Sequence, residues 1–310
     1  MTDTFEVQGD FAPAENFITE NFDTVIDASV DPTPVEAVPN GFLKLGLAPE
    51  LLRAVEELNF TQPTPVQEQV IPMALPSDDE TAGFTDLMVS AQTGSGKTAA
   101  FLLPVLHTLL KQQADAETKL RVDFERLTAE ALAKGEPAPK RPKRLDPTSS
   151  RNFKAATPGA LILCPTRELA QQVASDAIDL VRHCCGLRIA SVVGGMPYQI
   201  QLARLQNADL VVATPGRLLD LQRSSQLKLD KVQFLVVDEG DRMLDLGFAD
   251  DLAEVNQLTI ERKQTMMFSA TFAPRIQQLA ARVMREPRKV QVDNPQEKHA
   301  NIKQVLFWAD

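Results

Sequence analysis

Cysteine, histidine, tyrosine and tryptophan are all scarce in this chain of 310 residues, which holds three Cys, three His, one Tyr and one Trp. The cysteines are Cys164, Cys184 and Cys185. An odd count with two adjacent members makes a poor disulfide framework and points to a reducing compartment, the cytoplasm. Cys184-Cys185 reads as core-facing packing. None of His107, His183 and His299 stands at metal-ligand spacing from a cysteine, so the histidines read as structural or surface residues. No apolar run approaches the ~20 residues needed to span a bilayer, which argues against a membrane partner. The N-terminus lacks a positively charged start followed by an apolar stretch, so no secretory signal is expected. No internal repeat is present.

Lysine and arginine are absent from residues 1–40, which carry nine acids, and the net charge of the whole chain is −10. The acidity therefore belongs to a tail, and the remainder is close to neutral. A nucleic-acid partner is not excluded. The tail has no sustained periodicity and reads as mostly disordered. Its scattered Phe5, Phe11, Phe17 and Phe22 fit either a docking segment or a solvated tail.

What is present from residue 41 onward is a series of short apolar runs alternating with helical patterns. The runs are Leu87–Val89, Ala160–Leu163, Ile189–Val193, Leu210–Val212, Phe234–Val237 and Met266–Phe268. They are apolar throughout, as strands buried on both faces of a parallel sheet are. Alternation with helices predicts an α/β fold with a doubly wound, mostly parallel sheet, in which ligands sit beyond the carboxyl ends of the strands. Residues 113–157 interrupt the pattern and read as an insertion. Ala114–Ala133 suits an amphipathic helix, and residues 134–144 are Pro-rich and basic. Four charges in Lys140-Arg141-Pro142-Lys143-Arg144 fit a nucleic-acid tether or a solvated loop equally well.

Two constellations carry chemistry. Ala91-Gln92-Thr93-Gly94-Ser95-Gly96-Lys97-Thr98 follows a strand and opens a helix. Gly94, Ser95 and Gly96 let backbone N–H groups turn toward phosphate oxygens, and the helix N-terminus adds positive potential. Lys97 then reaches the β- and γ-phosphates of a bound nucleotide, and the Thr98 hydroxyl suits Mg²⁺. The second is Asp238-Glu239, at the end of the run Phe234–Val237. Paired acids there are costly unless a cation or a water meets them. Asp238 is assigned to Mg²⁺, and Glu239 to orienting and deprotonating the attacking water.

Asp238-Glu239-Gly240-Asp241 resembles the motif that names the DEAD-box helicases, with Gly240 where the family has Ala. Further matches follow in family order. Phe60-Thr61-Gln62-Pro63-Thr64-Pro65-Val66-Gln67 resembles the adenine-reading motif, with Phe42 upstream at the family's spacing for a stacking aromatic. Pro165-Thr166-Arg167-Glu168-Leu169-Ala170, Gly194-Gly195, Thr214-Pro215-Gly216-Arg217, Arg242–Phe248 and Ser269-Ala270-Thr271 complete the set. The likeness covers roughly residues 41–310 and is closest to bacterial members. It implies a RecA-like P-loop domain over 41–295. Residues 296–310 would then be a linker and the start of a second RecA-like domain that brings an arginine finger and half of the RNA groove. It implies ATP and Mg²⁺ as cofactors and single-stranded RNA as partner, and it fits a monomer. The isolated chain is expected to bind nucleotide weakly, with little RNA-stimulated turnover.

Each match also has a physical reading. The Gln67 amide can bond an adenine edge twice, or be a surface amide. Phe42 can stack on the base or pack at a helix start. The Ser269 and Thr271 hydroxyls suit bonds to Asp241 or Glu239, although Ser and Thr are also ordinary strand terminators. The Gly pair is equally an ordinary turn. Pro165, Thr166, Arg167, Gly194, Gly195, Thr214, Pro215, Gly216 and Arg217 present donors suited to phosphate and sugar, so binding should depend little on sequence. Glu168 reads as a support for Arg167. A nucleotide-gated RNA clamp and a DNA translocase are the competing functions.

Overall fold

The computed structural model describes residues 40–76, 83–134 and 154–292. Seven strands make one sheet: β1 (Leu87–Ser90), β2 (Ala160–Leu163), β3 (Ile189–Val192), β4 (Leu210–Ala213), β5 (Phe234–Val237), β6 (Gln264–Ser269) and β7 (Arg288–Gln291). Their order is β3-β4-β2-β5-β6-β1-β7, and every neighbouring pair is parallel. Six of the seven are the runs expected from the sequence. The seventh escapes that reading because it is an edge strand: only Val290 is buried, and Arg288, Lys289 and Gln291 are exposed.

Nine α-helices occur among the described residues: α1 (Pro49–Glu57), α2 (Pro65–Ala74), α3 (Lys97–Ala133), α4 (Arg167–Leu180), α5 (Tyr198–Leu205), α6 (Pro215–Arg223), α7 (Gly240–Asp245), α8 (Ala249–Leu258) and α9 (Pro274–Val283). The strand pleat sends alternate side chains to opposite faces. Val89, Ile162, Val212, Val236 and Phe268 pack with α1 to α4 through Leu51, Val70, Phe101 and Val173. Met88, Leu161, Val211, Leu235 and Met267 pack with α6 to α9 through Leu218, Met243, Val255 and Leu279. Two cores back to back explain why these strands are apolar at every position.

Register sets the shape of the functional edge. Val192, Ala213, Leu163 and Val237 end β3, β4, β2 and β5 level with one another and with Met267. β6 and β1 continue two residues further, to Ser269 and Ser90. The carboxyl edge therefore has a step beside β5, and the acidic turn Asp238-Glu239 lies at its foot.

The expected break at residue 113 is not a break in the helix. α3 runs for 37 residues without interruption, its first turns buried from Ala99 to Leu109 and residues after 110 half-buried or exposed. From residue 105 to 133 the sequence has neither Gly nor Pro and is rich in Ala, Leu, Glu, Lys and Arg, so nothing stops propagation. The acidic tail, the basic run 140–144, His299 and the linker beyond 292 lie outside the described residues. Cys164 is buried at the end of β2 and Cys184 packs half-buried against the core. Cys185 is exposed, which corrects the expectation that both adjacent cysteines face inward; the turn after α4 points only one of them at the sheet. His107 is structural as read: its Nδ1 accepts the Ala48 N–H at 3.0 Å. Among the described residues no helix is long and apolar enough to cross a membrane.

Candidate nucleotide site and nucleic-acid face

The phosphate loop connects β1 to α3. Gly94 and Gly96 have φ of 82° and 88°, in the left-handed region that favours glycine. A Cβ on Gly96 would lie 2.4 Å from Gln67 Nε2 and 3.0 Å from Thr64 Oγ1, so the second glycine is needed for space as well as conformation. Lys97 Nζ donates to the Ala91 carbonyl at 2.9 Å, which folds the amine back over its own loop.

Gln67 belongs to the start of α2. Thr64 caps that helix, Pro65 opens it, and Gln67 Oε1 accepts the Thr64 N–H at 2.9 Å in a reciprocal capping box. Its other end, Nε2, donates to the Gly96 carbonyl at 3.0 Å. Both ends of the amide are thus engaged within the protein, and the side chain is buried, not a surface amide. Phe42 is 1 % exposed and lies face to face with Phe60 at 6.5 Å. It is a core residue that also forms part of a cavity wall.

That cavity measures about 320 Å³. Phe42, Leu58 and Phe60 form an apolar side, Gln67, Gly94, Gly96 and Thr98 the loop side, and Asp176, Asp179 and Leu180 of α4 a third side. A second cavity, about 200 Å³, is polar and charged and is bounded by Thr93, Lys97, Glu239, Asp241, Arg242 and Ala270. The loop separates the two, with Thr98 toward the first and Lys97 toward the second.

Asp238 is 3 % exposed. Its carboxylate accepts the Glu239 N–H at 3.0 Å. Burial pushes its pKa up to about 6, while the nearby Lys97 charge pulls the other way. Glu239 sits at φ 50°, a left-handed conformation unusual for a non-glycine residue, and this turns the chain sharply from β5 into α7. Its carboxylate lies 3.3 Å from Arg242 Nη1. The expected hydroxyl bonds to the acidic turn are not made. Ser269 Oγ is buried without a hydrogen-bond partner among the described residues, and Thr271 is exposed. The Ala270 N–H reaches Asp241 Oδ2 instead, at 3.3 Å, because the strand end presents backbone rather than side chain.

The second constellation lies across β3, β4 and β2. Thr166 caps α4 by accepting the Leu169 N–H, and Arg167, largely exposed, pairs with Glu168 at 2.6 Å. A Cβ on Gly195, whose φ is 80°, would approach Arg167 Nη1 to 3.1 Å, so the segments that follow β3 and β2 meet beyond the end of β4. Thr214 precedes α6, with its N–H bonded to the Val192 carbonyl. Gly216 is open to solvent, and Arg217 is half-buried, 3.9 Å from Asp220. Pro165 precedes the Thr166 cap of α4 and Pro215 opens α6, and both are buried.

A family model described as DEAD/DEAH box helicase matches residues 64–279. The chain belongs to this family. It is 40 % identical over 267 residues to DEAD-box ATP-dependent RNA helicase 52A of Oryza sativa, covering 84 % of this chain and 38 % of the rice protein. It is 34 % identical to ATP-dependent RNA helicase RhlB of Pseudomonas syringae, covering 86 % of this chain and 57 % of the relative. The chain thus spans between about a third and three fifths of such relatives. A DEAD box protein from Methanococcus jannaschii superposes with a TM-score of 0.60 at 30 % identity, over 82 % of this chain and 56 % of that one. An S. cerevisiae Dbp5 variant bound to RNA and ADP BeF3 superposes at 0.59 and 27 % identity, over 82 % and 52 %. The fold is that of the RecA-like helicase domains.

For a DEAD-box domain, Gly240 is the departure in the naming motif. A Cβ there would stand 3.4 Å from Met267 Cγ and 3.6 Å from the Phe268 carbonyl, ordinary contact distances. The site accommodates alanine, so the glycine is not dictated by space. Two residues that sequence reasoning missed also border the cavities. Arg242 braces Glu239, and the helical spacing of the two, three residues apart, was a readable signal. Asp176 had no signal, since a single Asp in an amphipathic helix is commonplace.

Proposed function

We propose that this domain binds ATP with Mg²⁺ across its two cavities and single-stranded RNA along the ends of β2, β3 and β4, and that within the whole protein it drives ATP-dependent local unwinding of RNA. The observation that carries this reading is the meeting of Lys97, from the phosphate loop, with Glu239 and Asp241, from the acidic turn, around one polar cavity. In the same reading residues 41–295 are the first RecA-like domain. Residues 1–40 are an acidic tail, and 296–310 lead into a second domain that completes the RNA groove and adds an arginine finger. The protein would work as a monomer in the cytoplasm.

The residues fit a magnesium ion. Asp238 is a buried carboxylate whose burial Lys97 and the Glu239 N–H offset only in part, and no group of three or more His, Cys, Asp or Glu able to hold a metal occurs among the described residues. In this reading Asp238 and the Thr98 hydroxyl, on either side of the loop, would be the protein oxygens that hold the ion, which takes its remaining ligands from phosphate and water. When bound, such an ion neutralises charge on the transferring phosphate. Everything else falls to the chain. Lys97 exchanges the Ala91 carbonyl for phosphate oxygens, and the amides of Gly94, Ser95 and Gly96 cradle them. Glu239, held by its turn and by Arg242, accepts the proton of the attacking water. Phe42 and Phe60 receive the base. Gln67, tied to Gly96, ties base occupancy to loop position. Arg167, Gly195, Gly216 and Arg217 offer charged and backbone donors to a nucleic-acid strand without reading its bases.

The test is direct. The chain should bind a fluorescent ADP analogue, and its full-length parent should hydrolyse ATP with RNA stimulating the rate more than DNA. A parent stimulated equally by DNA and RNA contradicts the RNA assignment. A chain that binds no nucleotide contradicts the site.

A further inference from the structure

We propose that Gln201 on α5 is a positioning residue of the nucleic-acid face: its buried side-chain amide clamps both ends of the Gly194-Gly195 turn and holds the backbone donors of that turn beside Arg167. This inference rests on the reading of the ends of β2, β3 and β4 as the RNA path.

Gln201 is 0 % exposed, an uncommon place for a glutamine. α5 begins at Tyr198, and side chains on a helix lean toward its N-terminus. The Gln201 side chain therefore returns to the segment that leads into its own helix. Its Nε2 donates to the Val193 carbonyl at 2.8 Å and to the Met196 carbonyl at 3.1 Å. These two carbonyls belong to the residues immediately before Gly194 and immediately after Gly195. Both partners are acceptors, so the amide can meet them only with its nitrogen. Its Oε1 is buried with no hydrogen-bond partner among the described residues. An unsatisfied buried acceptor is costly, and it accompanies the orientation that holds both ends of the turn.

The turn needs such a clamp. Two consecutive glycines have more backbone freedom than any other pair. Gly195 is exposed, at φ 80°, and a Cβ on it would stand 3.1 Å from Arg167 Nη1. Thr166 caps the start of α4 with its side chain, whereas Pro197 gives α5 no side-chain cap. Backbone donors that meet a phosphate strand bind it more tightly when they are ordered beforehand. Gln201 offers no surface to a ligand, so it acts through the turn alone.

The experiment compares the full-length protein with its Gln201→Met and Gln201→Asn variants, using an oligouridylate as the RNA. Methionine fills the space and makes neither bond; asparagine is one methylene too short to reach both carbonyls. In Gln201→Met the RNA concentration for half-maximal ATPase stimulation should rise about tenfold, the scale of one lost hydrogen bond. Turnover at saturating RNA and ADP affinity should stay within about twofold of wild type. Without RNA, amide hydrogen exchange should quicken at residues 194–196 and not in the phosphate loop. Gln201→Asn should show the same pattern to a smaller degree, and it decides the matter if the methionine variant does not fold. An unchanged RNA requirement or unchanged exchange at the turn overturns the proposal. Parallel losses of RNA and ADP binding overturn it too, since they mark a general folding role. A wild type that does not bind the oligouridylate overturns the RNA reading, and this inference with it.

Discussion

The two halves of the sheet's carboxyl edge are built on opposite plans. Beyond β1, β5 and β6 the functional groups are mostly buried or half-buried and tied into the protein by hydrogen bonds: Lys97 to Ala91, Gln67 to Gly96, Glu239 to Arg242 and Asp241 to Ala270. Beyond β2, β3 and β4 Arg167, Gly195 and Gly216 are exposed and Thr166, Thr214 and Arg217 half-buried, with the Thr166 cap and the Arg167–Glu168 pair as their side-chain bonds. The first half stores strain and desolvation, seen in the positive φ of Glu239 and the raised pKa of Asp238. The second stores neither. A site that must position a water and a triphosphate needs a fixed, dry arrangement that a ligand completes. A site that meets a phosphate backbone without reading bases needs only accessible donors.

Substitutions in the two halves should therefore fail differently. The largest effect is expected at Glu239→Gln: RNA-stimulated ATP turnover of the full-length protein should fall by ~10²–10⁴, the usual contribution of a general base, with nucleotide affinity changed little. Equal losses in turnover and nucleotide binding would place Glu239 in binding rather than chemistry.

Asp238 sharpens the contrast through stability. Its folded pKa of about 6 lies above the ordinary carboxylate value of 3.8. The folded state thus holds a proton that the unfolded state has released, and stability falls as pH rises from about 4 to about 6. Above that window the charged Asp238 costs on the order of 3 kcal/mol. Asp238→Asn should accordingly raise the denaturation midpoint at neutral pH and flatten that pH slope while removing Mg²⁺-dependent nucleotide binding. A loss of stability in Asp238→Asn would contradict the desolvation account.

In the exposed half, Arg167→Ala and Arg217→Ala should each weaken RNA binding by about tenfold and lower its salt slope by about one, with ADP affinity unchanged. An unaltered slope removes that arginine from the phosphate path. The smallest effect is expected at Gly240→Ala. Spare room for the methyl and the better helix propensity of alanine should stabilise the protein by about 0.5–1 kcal/mol with turnover retained. Destabilisation there would mean that the acidic turn needs its glycine.

The fold was legible in the sequence wherever one physical rule acted alone. Six strands announced themselves because burial favours an apolar run through most of each; β7 did not, because one neighbour and an exposed edge permit Arg288 and Lys289. The phosphate loop and the acidic pair were legible because glycines at positive φ and paired acids at a strand end have few other uses. What could not be read depends on neighbours distant in sequence. The length of the chain from Gln67 to Gly96 conceals that the two are bonded. Phe42 could be a stacking ring or a core residue, and its packing against Phe60 shows that it is buried. The Thr64–Gln67 capping box is spelled out in full by Thr64-Pro65-Val66-Gln67, a local signal that needs no distant neighbour. Asp176 becomes visible only when α4 is laid beside the cavity.

The account depends on Lys97 and Asp238 serving one ligand. Calorimetric titration of a non-hydrolysable ATP analogue into wild type, Asp238→Ala and Lys97→Ala, each with and without Mg²⁺, measures this directly. Wild type should bind more tightly with Mg²⁺ by about tenfold or more, and both variants should lose that gain. If Asp238→Ala keeps the full Mg²⁺ enhancement, the acidic turn and the phosphate loop do not share a metal-bound triphosphate, and the proposed site is wrong.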